Sequence, residues 1–300
     1  MKLTVISSDS FDVYRNQAIE KTLFDLSGDE VVFYLWQNEN AVVIGKHQDA
    51  LSECDYNAFI ADGGKVARRI SGGGAVYHDM GNLNFTFIAP VKYYDLIKQM
   101  KVVTDALKSF GIQASLSGRN DVEVSGRKIS GNAFYFHEGK KLHHGTLLID
   151  VDTEKIKKYL TPNAVKLSKK GVKSVESRVV NLTEMADIDA ERLNGALVDA
   201  FKEEYKKAEL SVLDINDYAD DVAEREKVFS DKVWILGDKQ CYNVKAVYDS
   251  PLGALDIRAN VSDGRVIFAK VYSDSLDSAA VEKFEHSLIG AKYDGGEFII

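Results

Sequence analysis

Short apolar runs alternate with polar, turn-forming segments along the 300 residues, and their period changes several times. KLTVI (2–6) predicts a strand, SDSFD an entry turn, and residues 12–27 an amphipathic helix. VVFYLW (31–36) and AVVIG (41–45) predict two strands separated by the turn-like QNEN. A short helix over 55–62 precedes KVARR (65–69), a strand that delivers two arginines to an SGGG turn. NFTFIAP (84–90) predicts another strand, ended by Pro90, and 92–110 a helix closed by Gly111. VEV (122–124), RKIS (127–130), NAFYFH (132–137) and LHHGTLLIDV (142–151) form a run of strands, the last two joined by the hairpin signal HEGK. Helices at 153–160, 176–186 and 190–206 follow, then a polar helix at 217–230. From Trp234 the pattern changes again, to strands at 241–248, 253–260 and 264–272 and a helix at 276–288.

This pattern predicts an α+β protein. A mixed sheet with flanking helices occupies 1–232, and a small α+β unit occupies 233–300, with the charged helix as connector. Composition bounds the reading. A net charge of −8 argues against duplex nucleic acid as the main partner, though a local cationic pocket remains compatible with it. Cys54 and Cys241 are far apart and outside any C-x-x-C spacing, which argues against a disulfide scaffold or structural zinc. MKLTVISSDSFD has no apolar core of signal-peptide length, and no apolar run approaches a membrane span. The expectation is a soluble cytoplasmic protein with reduced thiols.

Candidate chemistry concentrates in two stretches. The first is RRISGGGAVYHD (68–79). Three adjacent glycines remove every Cβ from one length of backbone, so a bound anion can approach several N–H groups at once. Arg68 and Arg69 stand beside them, and strand alternation sends their side chains to opposite faces. A flexible turn is the plain alternative. The tract is neither a P-loop nor a G-x-G-x-x-G turn. The second stretch, SGRNDVEVSGRKISGNAF (117–134), places Asn120 and Asp121 at a strand entry and Lys128 between Gly126 and Gly131. Asp121 is either a turn former or a magnesium ligand, since Mg²⁺ is held by one or two carboxylates plus phosphate oxygens. Lys128 is either a solvent-edge lysine or an electrophilic clamp beside an anion. His78 follows the glycines. His143 and His144 point to opposite faces of one strand, so at most one lines a pocket, and HEGKKLHH lacks the spacing of a helical zinc site.

RRISGGGAVYHDMGNLNFTF, GRNDVEVSGRKISG and HHGTLLID, in this order and spacing, closely resemble the lipoate–protein ligase A family. SDSFDVYRNQAIE, LWQNENAVVIGKHQ and GVKSVESRVVNLTE agree with it, and the C-terminal stretch is similar to the family's accessory domain. The resemblance implies a biotin/lipoate-ligase type of catalytic domain and two steps. Lipoate and ATP form lipoyl-adenylate and pyrophosphate; the lipoyl group then passes to a lysine of an acceptor, a 2-oxoacid dehydrogenase E2 domain or a glycine-cleavage H protein. It implies that Arg69, Gly74, Ala75, Val76 and Tyr77 hold ATP. Ser71, Gly72 and Gly73 with His78 wall the lipoate side. Lys128 bridges the lipoate carboxylate and the α-phosphate. Asn120 and Asp121 serve the phosphates and Mg²⁺, while His144, Gly145 and Thr146 line the pocket, Thr146 toward the nucleotide. Asn84 receives no role. A cysteine-dependent octanoyl or lipoyl transferase of the same fold and a non-catalytic lipoate-binding module are the alternatives. Neither cysteine lies in a matched motif, which favours the ligase.

Overall fold

The computed structural model describes residues 1–118, 120–161, 179–206, 208–211, 213–237 and 240–299. Arg119, the GVKSVES part of the family resemblance and the first residues of the helix predicted at 176–186 lie outside the described residues.

The chain opens with β1 (Lys2–Ser7), α1 (Val13–Leu26), β2 (Glu30–Trp36) and β3 (Ala41–Ile44). Two short helices, α2 (Ala50–Glu53) and α3 (Tyr56–Ala61), lead to β4 (Lys65–Arg68), β5 (Val76–His78) and β6 (Asn82–Pro90). After α4 (Leu96–Lys108) come β7 (Ser115–Ser117), β8 (Asp121–Val124), β9 (Arg127–His137) and β10 (Lys140–Leu148). Then follow α5 (Thr153–Tyr159), α6 (Ala190–Glu204), β11 (Glu209–Ser211), α7 (Ala219–Ser230) and α8 (Lys232–Leu236). The last unit comprises β12 (Val244–Ser250), β13 (Gly253–Ser262), β14 (Arg265–Tyr272), α9 (Ser278–Leu288), β15 (Lys292–Tyr293) and β16 (Phe298–Ile299).

The large sheet has the order β11-β1-β2-β6-β10-β9-β8-β7. Strand β2 is buried along its length because both faces are covered, which is why its sequence is a continuous apolar run. Val31, Phe33 and Leu35 face a core built with α4 and α6; Val32, Tyr34 and Trp36 face one built with α1 and α7. Beside the second face lies a small sheet, β4-β3-β5, with its own core under α3 and α5. The β9–β10 hairpin turns at Glu138 and Gly139, both at positive φ, as HEGK foretells.

Two local expectations change. RKIS and NAFYFH are one strand, β9, because Gly131 stays in register with Asp121 of β8. The described part of the helix expected at 176–186 is a bridge at Val179 and a 3₁₀ turn at Leu182–Glu184. Asn181 exchanges two side-chain hydrogen bonds with the Val151 backbone, and this pins the chain in a turn.

Strands β12-β13-β14-β15-β16 form an antiparallel sheet with α9 packed against it. Helix α8 packs with the first domain instead. Trp234 and Ile235 enter its cores, and their carbonyls accept from the Arg68 guanidinium at 2.8 and 2.6 Å. The division expected between 232 and 233 falls inside this packing. The small domain sits on the glycine tract: Gly73 N–H donates to Ser275 O at 2.9 Å and Ser273 N–H to His47 O at 2.8 Å. Ion pairs Lys46–Glu282 (2.5 Å) and Arg258–Asp49 (2.7 Å) flank the contact.

Candidate active site

A row of paired residues crosses the large sheet. Trp36 pairs with Asn84, Asn84 with Thr146, the neighbouring Gly145 with Asn132, and Gly131 with Asp121. Above this row lies a cleft of about 140 Å³, roofed by Gly73, Gly74, Ala75 and Val76 and closed by His78. At its solvent end, Lys128 Nζ meets Asp121 Oδ1 at 2.7 Å, each side chain about one third exposed. Asn120 is held there by Asn132: Asn120 Nδ2 donates to Asn132 O at 2.9 Å and Asn132 N–H to Asn120 O at 2.7 Å. A Cβ on Gly131 would stand 3.0 Å from Lys128 Nζ, so the glycine leaves the lysine its path. A Cβ on Gly145 would lie 2.5 Å from Asn132 Oδ1.

The glycine tract has a definite shape, and Arg69 sets it. Its buried guanidinium donates to Gly72 O (2.6 Å), Gly74 O (2.8 Å), Val43 O (3.2 Å) and Ser71 Oγ (3.0 Å). Gly73 lies at φ +92°, a conformation that favours glycine. A Cβ on Gly45 would lie 2.1 Å from Gly73 O, and one on Gly72 would lie 2.2 Å from Ser275 O. Arg68 points the other way and gathers the carbonyls of Gly45, Lys46 and Gln48.

Behind the tract runs a buried relay. Asp12 caps α1, its Oδ1 accepting from Tyr14 N–H at 2.8 Å and Arg15 N–H at 3.2 Å, and this turns Asn16, Gln17 and Glu20 inward. Glu20 Oε1 accepts from Thr86 Oγ1 at 2.7 Å and pairs with His144 Nδ1 at 2.8 Å; His144 Nε2 meets Ser71 Oγ at 2.7 Å. The Trp36 indole donates to Thr86 Oγ1 at 3.0 Å. The Arg69 charge is thus joined to the Glu20 carboxylate through Ser71 and His144. Burial lowers the Arg69 pKa to about 10 while Glu20 opposes the shift, so the guanidinium stays charged at neutral pH.

Most residues singled out in the sequence meet here. Arg69, Gly73, Gly74, Ala75, Val76, His78, Asn120, Lys128, His144, Gly145 and Thr146 line the cleft. Asp121 stands at its rim beside Lys128, and Ser71 is buried beneath the tract. Gly72 faces the small domain, and the Tyr77 ring packs against Phe59 in the small-sheet core. Gln17, Trp36, Asn84, Asn132 and Ala133 also line the cleft without having been singled out. The only sequence signal for Gln17 and Glu20 is polarity on the inward face of an amphipathic helix. His143 lies on the other face of β10, between Gln99 Oε1 (3.0 Å) and Asn132 Oδ1 (2.9 Å), stacked on Phe134.

Burial lowers the pKa of His78 and of His143 to about 3, and that of His47 to about 4. All three are therefore neutral in the folded protein well below pH 6.5, where an unfolded chain protonates them. A depressed folded pKa confers stability above the unfolded value and loses it as pH falls toward the folded one. Unfolding free energy should drop from pH 6.5 down to about 4 for His47 and about 3 for His78 and His143, by up to about 1.4 kcal/mol per pH unit for each histidine. Urea melts of wild type and His143→Gln check this; an equally steep profile in the variant removes His143 from the account.

Comparisons with known proteins bear on the family. A family model described as the lipoyl protein ligase A/B catalytic domain matches residues 12–202. A Psychrobacter cryohalolentis protein named lipoate-protein ligase A is 36% identical over 311 residues, covering 98% of this chain and 90% of its own. The chain belongs to the lipoate–protein ligase A family. The second unit of this ligase matches the bacterial lipoate protein ligase C-terminus over 241–298. The P. falciparum LipL1 structure in complex with lipoate superposes with a TM-score of 0.85 at 29% identity, covering 97% of this chain and 91% of that one. The bipartite lipoate protein ligase of Thermoplasma acidophilum, described with its E2 lipoyl domain, gives 0.68 at 25% identity, with 81% of this ligase and 98% of that chain covered.

Proposed function

We propose that this ligase activates lipoate with ATP and transfers the lipoyl group to a lysine of an acceptor protein. The observation that carries the reading is the Lys128–Asp121 pair at the open end of a cleft roofed by backbone and closed at the other end by His78 and Trp36. In the first step a lipoate carboxylate oxygen attacks the α-phosphorus of ATP and pyrophosphate leaves. Two anions must approach for this, and an ammonium between them offsets their repulsion and stabilises charge at phosphorus. Asn120 and Thr146 supply polar groups beside it, and the tract held by Arg69 permits close backbone approach. In the second step the acceptor amine attacks the acyl carbon, AMP leaves, and the amine gives up a proton.

Asp121 fits a Mg²⁺ role in its donor type, a carboxylate at the phosphate end; Mg²⁺ there would take phosphate oxygens as further ligands and neutralise their charge. Acceptors of the class inferred from the sequence, E2 lipoyl domains or a glycine-cleavage H protein, suit the open Lys128 end. We place the protein in the cytoplasm, consistent with two free cysteines. The test is lipoate-dependent exchange of pyrophosphate into ATP, followed by the mass of acceptor domains after incubation with lipoate, ATP and Mg²⁺. Exchange that is indifferent to lipoate overturns the reading.

A thiol-dependent transferase makes a different prediction. Cys54 is buried, donates to Ala50 O at 3.3 Å and has its pKa raised to about 11 by burial; Cys241 is exposed in the small domain. A thiol so placed is a poor nucleophile. Cys54→Ser with Cys241→Ser should ligate within about twofold of wild type, by acceptor mass shift, because neither thiol lines the cleft. A folded double variant without acyl transfer would reverse the assignment.

A further inference from the structure

The face of the large sheet away from the cleft carries a buried histidine that the proposed chemistry does not use. His143 of β10 is fully buried among Phe85, Phe87 and Phe134, whose ring centroids lie 5.5, 5.8 and 5.0 Å from its own. Its Nε2 lies 2.9 Å from Asn132 Oδ1 and its Nδ1 3.0 Å from Gln99 Oε1. The Asn132 amide has one orientation, because its Nδ2 donates to Asn120 O at 3.0 Å and a carbonyl can only accept. Asn132 Oδ1 therefore accepts from His143, and the ring proton of a neutral His143 sits on Nε2. Burial, with His144 adding to it, keeps the ring neutral. Nδ1 is then an acceptor. Gln99 Nε2 has no partner among the described residues, and half a turn of that amide brings its NH₂ to Nδ1.

This chain of hydrogen bonds ends at the cleft. Asn132 sits on β9 opposite Gly145, whose missing Cβ leaves the amide its place. Asn132 grips Asn120 through backbone and side chain together. Its N–H donates to Asn120 O at 2.7 Å, its Nδ2 donates to the same oxygen, and its own carbonyl accepts from Asn120 Nδ2 at 2.9 Å. Asn120 lines the cleft, and the next residue, Asp121, pairs with Lys128. Beyond β8 the sheet has only β7, three residues long, so the start of β8 lies near a thin edge and depends on its inner neighbour for support. Trp36 and His78, at the other end of the cleft, bond to Thr86 and Asn38 instead.

We propose that His143 is a positioning residue for acyl activation: from the opposite face of the sheet its Nε2–H orients the Asn132 amide, which holds Asn120 and the start of β8 in place for the nucleotide phosphates. This rests on the reading of the Lys128 end as the place where ATP meets lipoate. Without the donor, Asn132 Oδ1 is buried with no partner, and the amide is no longer held toward Asn120. A displacement of about 1 Å at a reacting centre is costly in rate, even when its cause lies far from the chemistry.

The test begins with wild type. The nitrogen NMR shifts of the His143 ring should report a proton on Nε2 and none on Nδ1 at neutral pH; a bare Nε2 overturns the inference, whether or not any variant folds. Pyrophosphate exchange is then measured with ATP and lipoate varied in turn. His143→Phe, which fills the aromatic surroundings without a donor, should lower kcat/KM for ATP about tenfold and leave KM for lipoate within about twofold. His143→Gln should keep most of the wild-type value, since its NH₂ stands near the place of Nε2. In an Asn132→Ala background, His143→Phe should cost less than about twofold more, because it acts through that amide. A folded His143→Phe with wild-type ATP kinetics overturns the inference. So does an equal loss on the lipoate side, a His143→Gln that behaves like phenylalanine, or losses that multiply in the double variant. Absence of exchange in wild type is a distinct outcome, which overturns the ligase reading and this inference with it.

Discussion

Lys128→Ala should lower lipoate-dependent pyrophosphate exchange by about 10²–10³-fold, comparable to removing one donor aimed at developing charge. The melting temperature should hardly change, because the side chain is one third exposed and its ion pair with Asp121 is equally exposed. Lys128→Arg should recover little. A planar fork is larger than an ammonium and places its donors differently, and the room beside Lys128 depends on the missing Cβ of Gly131. Transfer from preformed lipoyl-adenylate should suffer less than exchange, since pyrophosphate has already left. A folded Lys128→Ala within a few-fold of wild type at saturating ATP and lipoate would remove the lysine from the chemistry.

Glu20→Ala, in the relay behind the cleft, should destabilise the fold by about 3–5 kcal/mol, the range for breaking a buried charge network from one side. Glu20 is 1% exposed and accepts from Thr86 and His144; without it both lose their acceptor and the Arg69 charge loses a buried carboxylate that favours it. Glu20→Gln keeps an oxygen for both partners and removes only the charge, so it should fall between wild type and alanine. Urea unfolding separates the three. Catalytic loss should accompany the alanine change even at low temperature, because Ser71 and Arg69 shape the glycine tract. A cost under about 1 kcal/mol for Glu20→Ala would show the relay to be dispensable.

Much of the scaffold was legible in sequence. The apolar run at 31–36, the helix after Asp12 and the HEGK turn depend on neighbours within a few residues, and local pattern carries such information. The glycine tract and the Lys128 stretch were legible as chemistry because their residue types are unusual for plain turns and edges. The relay was not. Glu20 and His144 are 124 positions apart and meet only when α1 lies across β10. Asn84 looked like a strand filler until its pairing with Trp36 and Thr146 placed it on the cleft floor. The resemblance implies that Arg69 holds ATP; that its guanidinium also holds the carbonyls of its own loop had no signal in the sequence. The helix expected near 182 gave way to a turn because Asn181 is bound to Val151, a partner 30 positions away. The seat of Ser275 on Gly73 has no sequence signature, since it is made by backbone atoms.

The edge of the large sheet bears on how the molecule is made. Strand β1 pairs in parallel with β11, Lys2 opposite Glu209, so β1 gains its outer neighbour only after some two hundred residues have followed. Pairings of such separation form late, because loop-closure entropy opposes them until the intervening chain has condensed. The strands that carry the cleft, β2, β6, β10, β9 and β8, are complete by Leu148 and need no later segment to find one another. On the ribosome the floor of the cleft therefore assembles first and the β11 edge is sealed afterwards. The cap from Ser273–Ser278 arrives last. A nascent chain would hold the Lys128–Asp121 pair well before it can close the glycine tract, and its competence for acyl activation should await the Ser273–Ser278 segment.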